Sequence, residues 1–341
     1  MTEVTTRSQF EEAVAVNGQV EFEEGWSFLA YIFVHIYFVI CRIETFFVFW
    51  PFMIFIRPFL KRTNPRKHDP RRWPVAQITF TSCESIMYLK RNATTWKAIE
   101  YLYNWLENTQ DFKGLKKLMS HVFGQLENIK ATRNRLRLVK QRMYIEIDEL
   151  LKRDDGYNIN IVSLASGSAR ASIEVVSSFL RRDPYLLDRF YLYFVDADEA
   201  AFPFAADLAR DAYPGLETKI RFTQMKISCK PAGIAKLRDF LMRIRPQIVE
   251  TVGFGDYMKD EKAKTLYGII HECLADDGLL LTNNVKPNHE RRFLETVGTW
   301  RMINRSEKKT RSLIAAGGFL HIETHNEPCN IQPIFVARKA A

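Results

Sequence analysis

The chain has 341 residues and a mass of 39.9 kDa, with 49 Lys and Arg against 40 Asp and Glu, a net charge of +9. Hydrophobic residues make up 47%, enough apolar surface to offset chain entropy, which excludes a wholly disordered chain. Fifteen Gly and 13 Pro exclude a collagen-like or low-complexity chain, and five cysteines are too few for a disulfide framework and suit a reducing compartment.

Residues 1–25 form an acidic tail of net charge −5, unlike the basic start of a secretory signal. Two aromatic runs follow, Trp26–Cys41 with His35 as its one polar ring, and Thr45–Ile56 with Pro51 inside it; Arg42 and Glu44 lie between them. Residues 57–72 then carry a net +6. Neither run reaches the roughly 20 residues of a spanning helix. The pattern predicts a membrane-associating hairpin over 26–75, as a tilted span or as an in-plane hairpin bent near Arg42–Glu44, with the basic flank on anionic cytoplasmic lipid. The alternative is an aromatic hairpin packed on the rest of the protein.

Residues 76–150 read as a helical region. Trp96, Ile99, Leu102, Tyr103 and Leu106 recur at spacings of three and four, and Leu136, Val139, Met143, Ile147 and Leu150 share one helix face. Residues 113–142 carry a net +8. Such a stretch is either a solvated helix face or a phosphate-binding one, for lipid headgroups or nucleic acid.

From residue 151 to the end the pattern alternates. Strands are predicted at NINIVSLA, RFYLYFVD, KIRFTQM, PQIVETVG and DGLLLTNNV, each followed by a helix, then LHIETHN and IQPIFVARK close the chain. Strands separated by helices predict a doubly wound, mostly parallel sheet. Ligands in such sheets sit at the carboxyl ends of the strands.

The order of elements, with an antiparallel last strand, resembles the class I S-adenosylmethionine-dependent methyltransferases over about 158–338. Four places carry the resemblance. Val162–Arg170 is similar to the family's acidic-x-Gly-x-Gly-x-Gly loop. Asp196 ends the second strand, where the family has its ribose-binding acid. Glu250-Thr251 ends the fourth strand at the family's acidic or amide position. Leu274–Leu281 resembles the turn into the fifth strand. The departures are Ser163 for the first acid, Ala165 and Ala169 for two of three glycines, and Met225-Lys226 where an acid is often found. A nicotinamide fingerprint would place Arg170 where a small residue packs helix on strand, which disfavours that rival.

The resemblance implies a Rossmann-like seven-stranded fold with a helix of 131–150 as its lid. It implies S-adenosyl-L-methionine as cofactor, held by Ala165, Ser166, Gly167, Ser168, Asp196, Ala197, Met225, Lys226, Glu250 and Thr251. Asp196 suits the two ribose hydroxyls by charge-assisted hydrogen bonds; its other reading is a cap for the helix near Glu199, for which Asp198 is equally suited. Methyl transfer needs alignment and water exclusion more than acid–base help, so the residues name no catalytic group. Acceptor-side candidates are Asp256, Tyr257, Asn283, Asn284 and His289. His321, Glu323 and His325 share a strand face near Cys329, read as hairpin surface, with no metal assigned. The expected function is a membrane-associated, cytoplasm-facing methyltransferase acting on a lipid or other apolar small molecule. The alternatives are an inactive scaffold that kept the fold and, less favoured, a nucleic-acid methyltransferase.

Overall fold

The computed structural model describes residues 22–24, 27–44, 84–153, 156, 158–296, 298 and 300–340. The second aromatic run and the basic flank at 57–72 lie outside the described residues. By packing, the chain divides into two units. A sheet unit is built from Ala131–Pro287, Met302–Ala341 and the described residues before Gly25, and a helical unit from Gly25–Lys130 and Asn288–Arg301.

The sheet unit holds seven strands: β1 (Ile159–Leu164), β2 (Phe190–Asp196), β3 (Ile220–Gln224), β4 (Ile248–Thr251), β5 (Leu279–Asn283), β6 (His321–His325) and β7 (Ile334–Arg338). Their order is β3-β2-β1-β4-β5-β7-β6. β1 to β5 are mutually parallel, and β7 lies antiparallel between β5 and β6. This is the mostly parallel Rossmann-like sheet with an antiparallel last strand that the family resemblance implies. The strand order reverses at β1/β4, the switch point where open α/β sheets leave a crevice.

Side chains alternate across each strand, so the strands feed two cores. Ile161, Ile248, Leu279 and Leu281 join one; Val162, Val249 and Leu280 join the other. The first core is covered by α6 (Glu127–Lys152), α7 (Arg170–Arg182) and α8 (Ala201–Ala212), through residues such as Met143, Ile173 and Ala209. The second is covered by α9 (Pro231–Ile244), α10 (Asp260–Cys273) and α12 (Glu307–Ala316), through Leu237, Ile270 and Ile314. Pro231 opens α9 at its first turn, where its missing N–H costs no helical bond.

The helical unit contains α1 (Phe28–Glu44), α2 (Glu84–Arg91), α3 (Trp96–Tyr103), α4 (Trp105–Thr109), α5 (Gly114–Gly124), the first turn of α6, and α11 (Arg291–Thr296). The single stripe predicted from Trp96 to Leu106 is broken at Asn104, whose φ of −98° and ψ of 31° leave the helical region. The inner face of α1, Ala30, Val34 and Tyr37, is buried. Tyr37 meets the fully buried Phe293 edge-on at 5.1 Å, and Phe33 and Phe123 approach the same ring at 5.9 and 6.4 Å. Part of the aromatic run thus packs on protein, as the second reading of the sequence had it. At Gly124 a Cβ would stand 2.2 Å from the indole nitrogen of Trp105, so only glycine lets α5 close on α4. Among the described residues, no helix is long and apolar enough to cross a membrane.

Candidate functional site

The loop between β1 and α7 holds a backbone that its side chains do not favour. Ala165, Gly167 and Ala169 have φ of +54°, +51° and +51°. This is the left-handed region, which glycine enters freely and alanine at a cost of about 1–2 kcal/mol. The three positions are those the family pattern gives to glycine. The loop therefore keeps the glycine-loop conformation while spelling two of its residues as alanine. Asp277, with φ +59°, does the same in the turn before β5.

Hydrogen bonds tie this loop to the ends of β2 and β3. The Ser166 N–H donates to the Val195 carbonyl at 3.1 Å, and the Met225 N–H donates to the Asp196 carbonyl at 2.8 Å. The Asp196 carboxylate accepts from the Gly167 N–H at 2.8 Å on one oxygen and from the Asp198 N–H at 2.9 Å on the other. Asp198 in turn accepts from the Ala200 N–H at the start of α8. Asp198 thus turns the chain into α8, whose N-cap Ala200 receives no side-chain cap, and Asp196 faces the loop. A carboxylate offers about four lone-pair sites, so each Asp196 oxygen retains one. Ser168 is buried, Ala197 is exposed beside Asp196, Met225 belongs to the second core, and Lys226 is exposed.

On the neighbouring strand, Glu250 lies in register with Ser163. The Ser163 hydroxyl donates to one Glu250 oxygen and the Val252 N–H donates to the other at 3.1 Å. Burial pushes the Glu250 carboxyl up, and those two bonds and the charge of Arg135 temper the rise. The serine standing where the family has an acid therefore carries a hydrogen bond to an acid one strand away. Arg135, on α6, is buried, and its guanidinium lies 3.5 Å from where a Cβ on Gly253 would stand. Neither Arg135 nor the Ser163–Glu250 pairing is visible without strand order, because their partners are far away in sequence. Among the described residues, three buried polar atoms at the carboxyl ends of β1, β4 and β5 lack a hydrogen-bond partner: Ser166 Oγ, Thr251 Oγ1 and Asn283 Nδ2.

The loops after β4 and β5 are stapled together. Asp256 is buried and accepts from the Val285 N–H at 2.7 Å; burial, opposed by that bond and by Arg135 and Arg305, pushes its carboxyl up to about 6. Arg305 donates to the Gly255 carbonyl at 3.0 Å, to Asp260 at 2.9 Å, and to Asn284 Oδ1 and the Met258 carbonyl. The Asn284 amide donates to the Ile303 carbonyl at 2.8 Å, and Asn283 Oδ1 accepts from the Gly253 N–H at 2.6 Å. Asn284 and Asp256 thus spend polar atoms on holding loops, whereas Asn283 keeps its amide N–H groups. Tyr257 is exposed. His289 lies in the helical unit, 3.8 Å from Glu127.

The basic helix is largely internal. Arg133 and Arg137 pair with Glu23, the latter at 2.9 Å; burial of Glu23 opposes its charge, but the two arginines hold its carboxyl below the usual range. Lys140 pairs with Glu174 at 2.7 Å, both buried, and Arg170 reaches the same carboxylate at 2.9 Å. Positive charge that is paired internally is not offered to nucleic acid. His325 meets Glu323 at 3.1 Å on β6, while Cys329 packs against Ala131, Val285 and Ile331.

No protein-family model matches the chain. No curated protein matches it either. Among solved structures, a possible exported protein from Bordetella parapertussis is similar at a TM-score of 0.57 and 14% identity, over 82% of this chain and 100% of that one. This likeness shows the fold. The S-adenosylmethionine-dependent methyltransferase SibL in its apo form aligns at a TM-score of 0.44 and 15% identity, over 86% of this chain and 75% of that one. Magnesium protoporphyrin IX methyltransferase from Synechocystis aligns at 0.41 and 12%, over 61% and 86%.

Proposed function

We propose that the sheet unit binds S-adenosyl-L-methionine and transfers its methyl group to an apolar acceptor presented at a membrane. The observation that carries this reading is the loop 165–169, held left-handed at three alternate residues with the Gly167 N–H on the Asp196 carboxylate. Asp196 keeps acceptor capacity for two hydroxyls, Ser166 Oγ is a buried hydroxyl without a partner, and Glu250 supplies a buried acid; this donor and acceptor set fits a ribose and an ammonium. When bound, the cofactor supplies an activated methyl group on sulfur. The chain's part is to hold the adenosyl end at Gly167 and Asp196, to orient the amino-acid end near Glu250, and to exclude water.

The helical unit supports the choice of acceptor class. The outer side of α1 exposes Phe28, Leu29, Ile36, Val39, Ile40 and Ile43, and the sequence adds a second aromatic run and a basic flank. Such a unit keeps the enzyme on a bilayer, with the basic flank toward the cytoplasmic leaflet. The internal pairing of Arg133, Arg137 and Lys140 leaves a nucleic-acid acceptor without its main support.

Incubation with methyl-labelled S-adenosylmethionine and a total lipid extract is expected to label an organic-soluble product, and Asp196→Ala is expected to abolish the label. A second reading, a scaffold that lost transfer, draws on Ala165, Ala169 and Ser163. Cofactor binding without any labelled product favours the scaffold.

A further inference from the structure

We infer that α5 is a second membrane contact, and that the outer faces of α1 and α5 dock the helical unit in the plane of an anionic lipid surface. This rests on the membrane half of the proposed function and names its partner. Both helices already have an inner face committed to protein. In α1 it is Ala30, Val34 and Tyr37 against Phe293; in α5 it is Ser120, Phe123 and Gly124, against Trp105 and Phe293. Core packing therefore does not account for what the outer faces carry. On α1, Phe28, Leu29, Ile36, Val39, Ile40 and Ile43 are 40–59% exposed, and on α5 Leu115 and Leu118 are 63% and 58% exposed. Exposed apolar side chains concentrated on one unit mark a contact surface.

The charge pattern selects the occupant. Exposed Lys113, Lys116 and Lys117 surround Leu115, so a leucine is interleaved with lysines within one helical turn. A hydrophobic protein partner gains nothing from desolvating three lysines. At a bilayer interface the leucines enter the acyl boundary while the lysine stems reach up to phosphate. Each lysine near an anionic surface strengthens binding about fivefold, and the net +6 of residues 57–72 acts in the same direction. With 11 residues, α5 is about 16 Å long, too short to cross the hydrocarbon core, so it lies in the interface.

The test is co-sedimentation of the full chain with phosphatidylcholine vesicles, with and without phosphatidylglycerol, alongside Leu115→Ser/Leu118→Ser and Lys116→Glu/Lys117→Glu. All four positions are exposed, and the ion pair of Lys116 with Glu84 at 3.6 Å is itself solvent-exposed and worth little, so the variants should stay close to the unfolding midpoint of the parent. The inference expects preferential binding to the anionic vesicles, weakened roughly tenfold or more by each double variant. If the parent binds and both variants bind equally well, α5 is no contact and the inference falls, while membrane attachment through 26–75 stands. If the parent binds neither vesicle, the membrane half of the proposed function falls with it. If the parent instead forms a dimer that Leu115→Ser/Leu118→Ser dissolves, the surface belongs to a second copy of the chain and the inference is overturned.

Discussion

At Ala165 and Ala169 a methyl group sits on a backbone that glycine would adopt without strain. Replacing either by glycine is expected to raise stability by about 0.5–1 kcal/mol, relief of the left-handed penalty outweighing the extra freedom of the unfolded chain; Gly167→Ala should cost about 1 kcal/mol. Denaturant midpoints of the three variants check both signs. Asp256 makes a second residue-level prediction. Its carboxyl titrates near 6 in the folded protein and near 3.8 when unfolded, so the folded state binds the proton more tightly. Its contribution to stability is fully present below the unfolded value and is lost as pH rises through about 6, on the order of 3 kcal/mol in all. Asp256→Asn keeps the acceptor for Val285 and cannot ionise. The stability difference between parent and variant should therefore change between pH 4 and 6 and level off above, as thermal melts across that range would show.

Among the elements, α6 shows what sequence conveys and what it withholds. Its periodicity gave the apolar face correctly, because Val139, Met143 and Ile147 repeat at helical spacing and are buried. Its charges were misleading in isolation. The stretch is basic because its partners, Glu23 and Glu174, come from distant segments, and local charge counting cannot see an ion pair across 34 or 110 residues. Its start was also hidden, since Leu126 precedes it and offers no capping side chain. Glu290 supplies the cap from α11's approach, accepting from the N–H groups of Glu127 and Asn128 at 2.9 and 2.8 Å. Glu290→Ala is expected to cost about 1–2 kcal/mol. Lys140→Met leaves Glu174 buried with Arg170 alone and is expected to cost about 3 kcal/mol, while Lys140→Met/Glu174→Met recovers much of it; urea unfolding of the single and double variants separates the two. The strands were legible, β1, β2, β4, β5 and β7 as short apolar runs ended by a turn and β3 and β6 by the alternation of apolar and polar residues. The helix break at Asn104 was not, because no Pro or Gly marks it.

For the whole molecule, the sheet unit carries a left-handed loop at its β1/β4 switch point, and the helical unit carries an apolar, lysine-fringed surface. The strand–helix pattern sufficed to predict the sheet and its parallel strands; the antiparallel β7 and the choice of Gly167 and Asp196 were what the family resemblance implied, and the fold brings those two residues into direct hydrogen bonding. It did not reveal that Glu250 answers Ser163 across β1 and β4, which requires strand order. The central claim is that the loop 165–169 and Asp196 hold an adenosyl group, and calorimetric titration of the full chain with S-adenosylhomocysteine tests it most directly. The account predicts saturable one-to-one binding in the micromolar range, weakened at least tenfold by Asp196→Asn in protein that melts like the parent. Folded parent protein that releases no heat and shows no stabilisation at millimolar S-adenosylhomocysteine would contradict it.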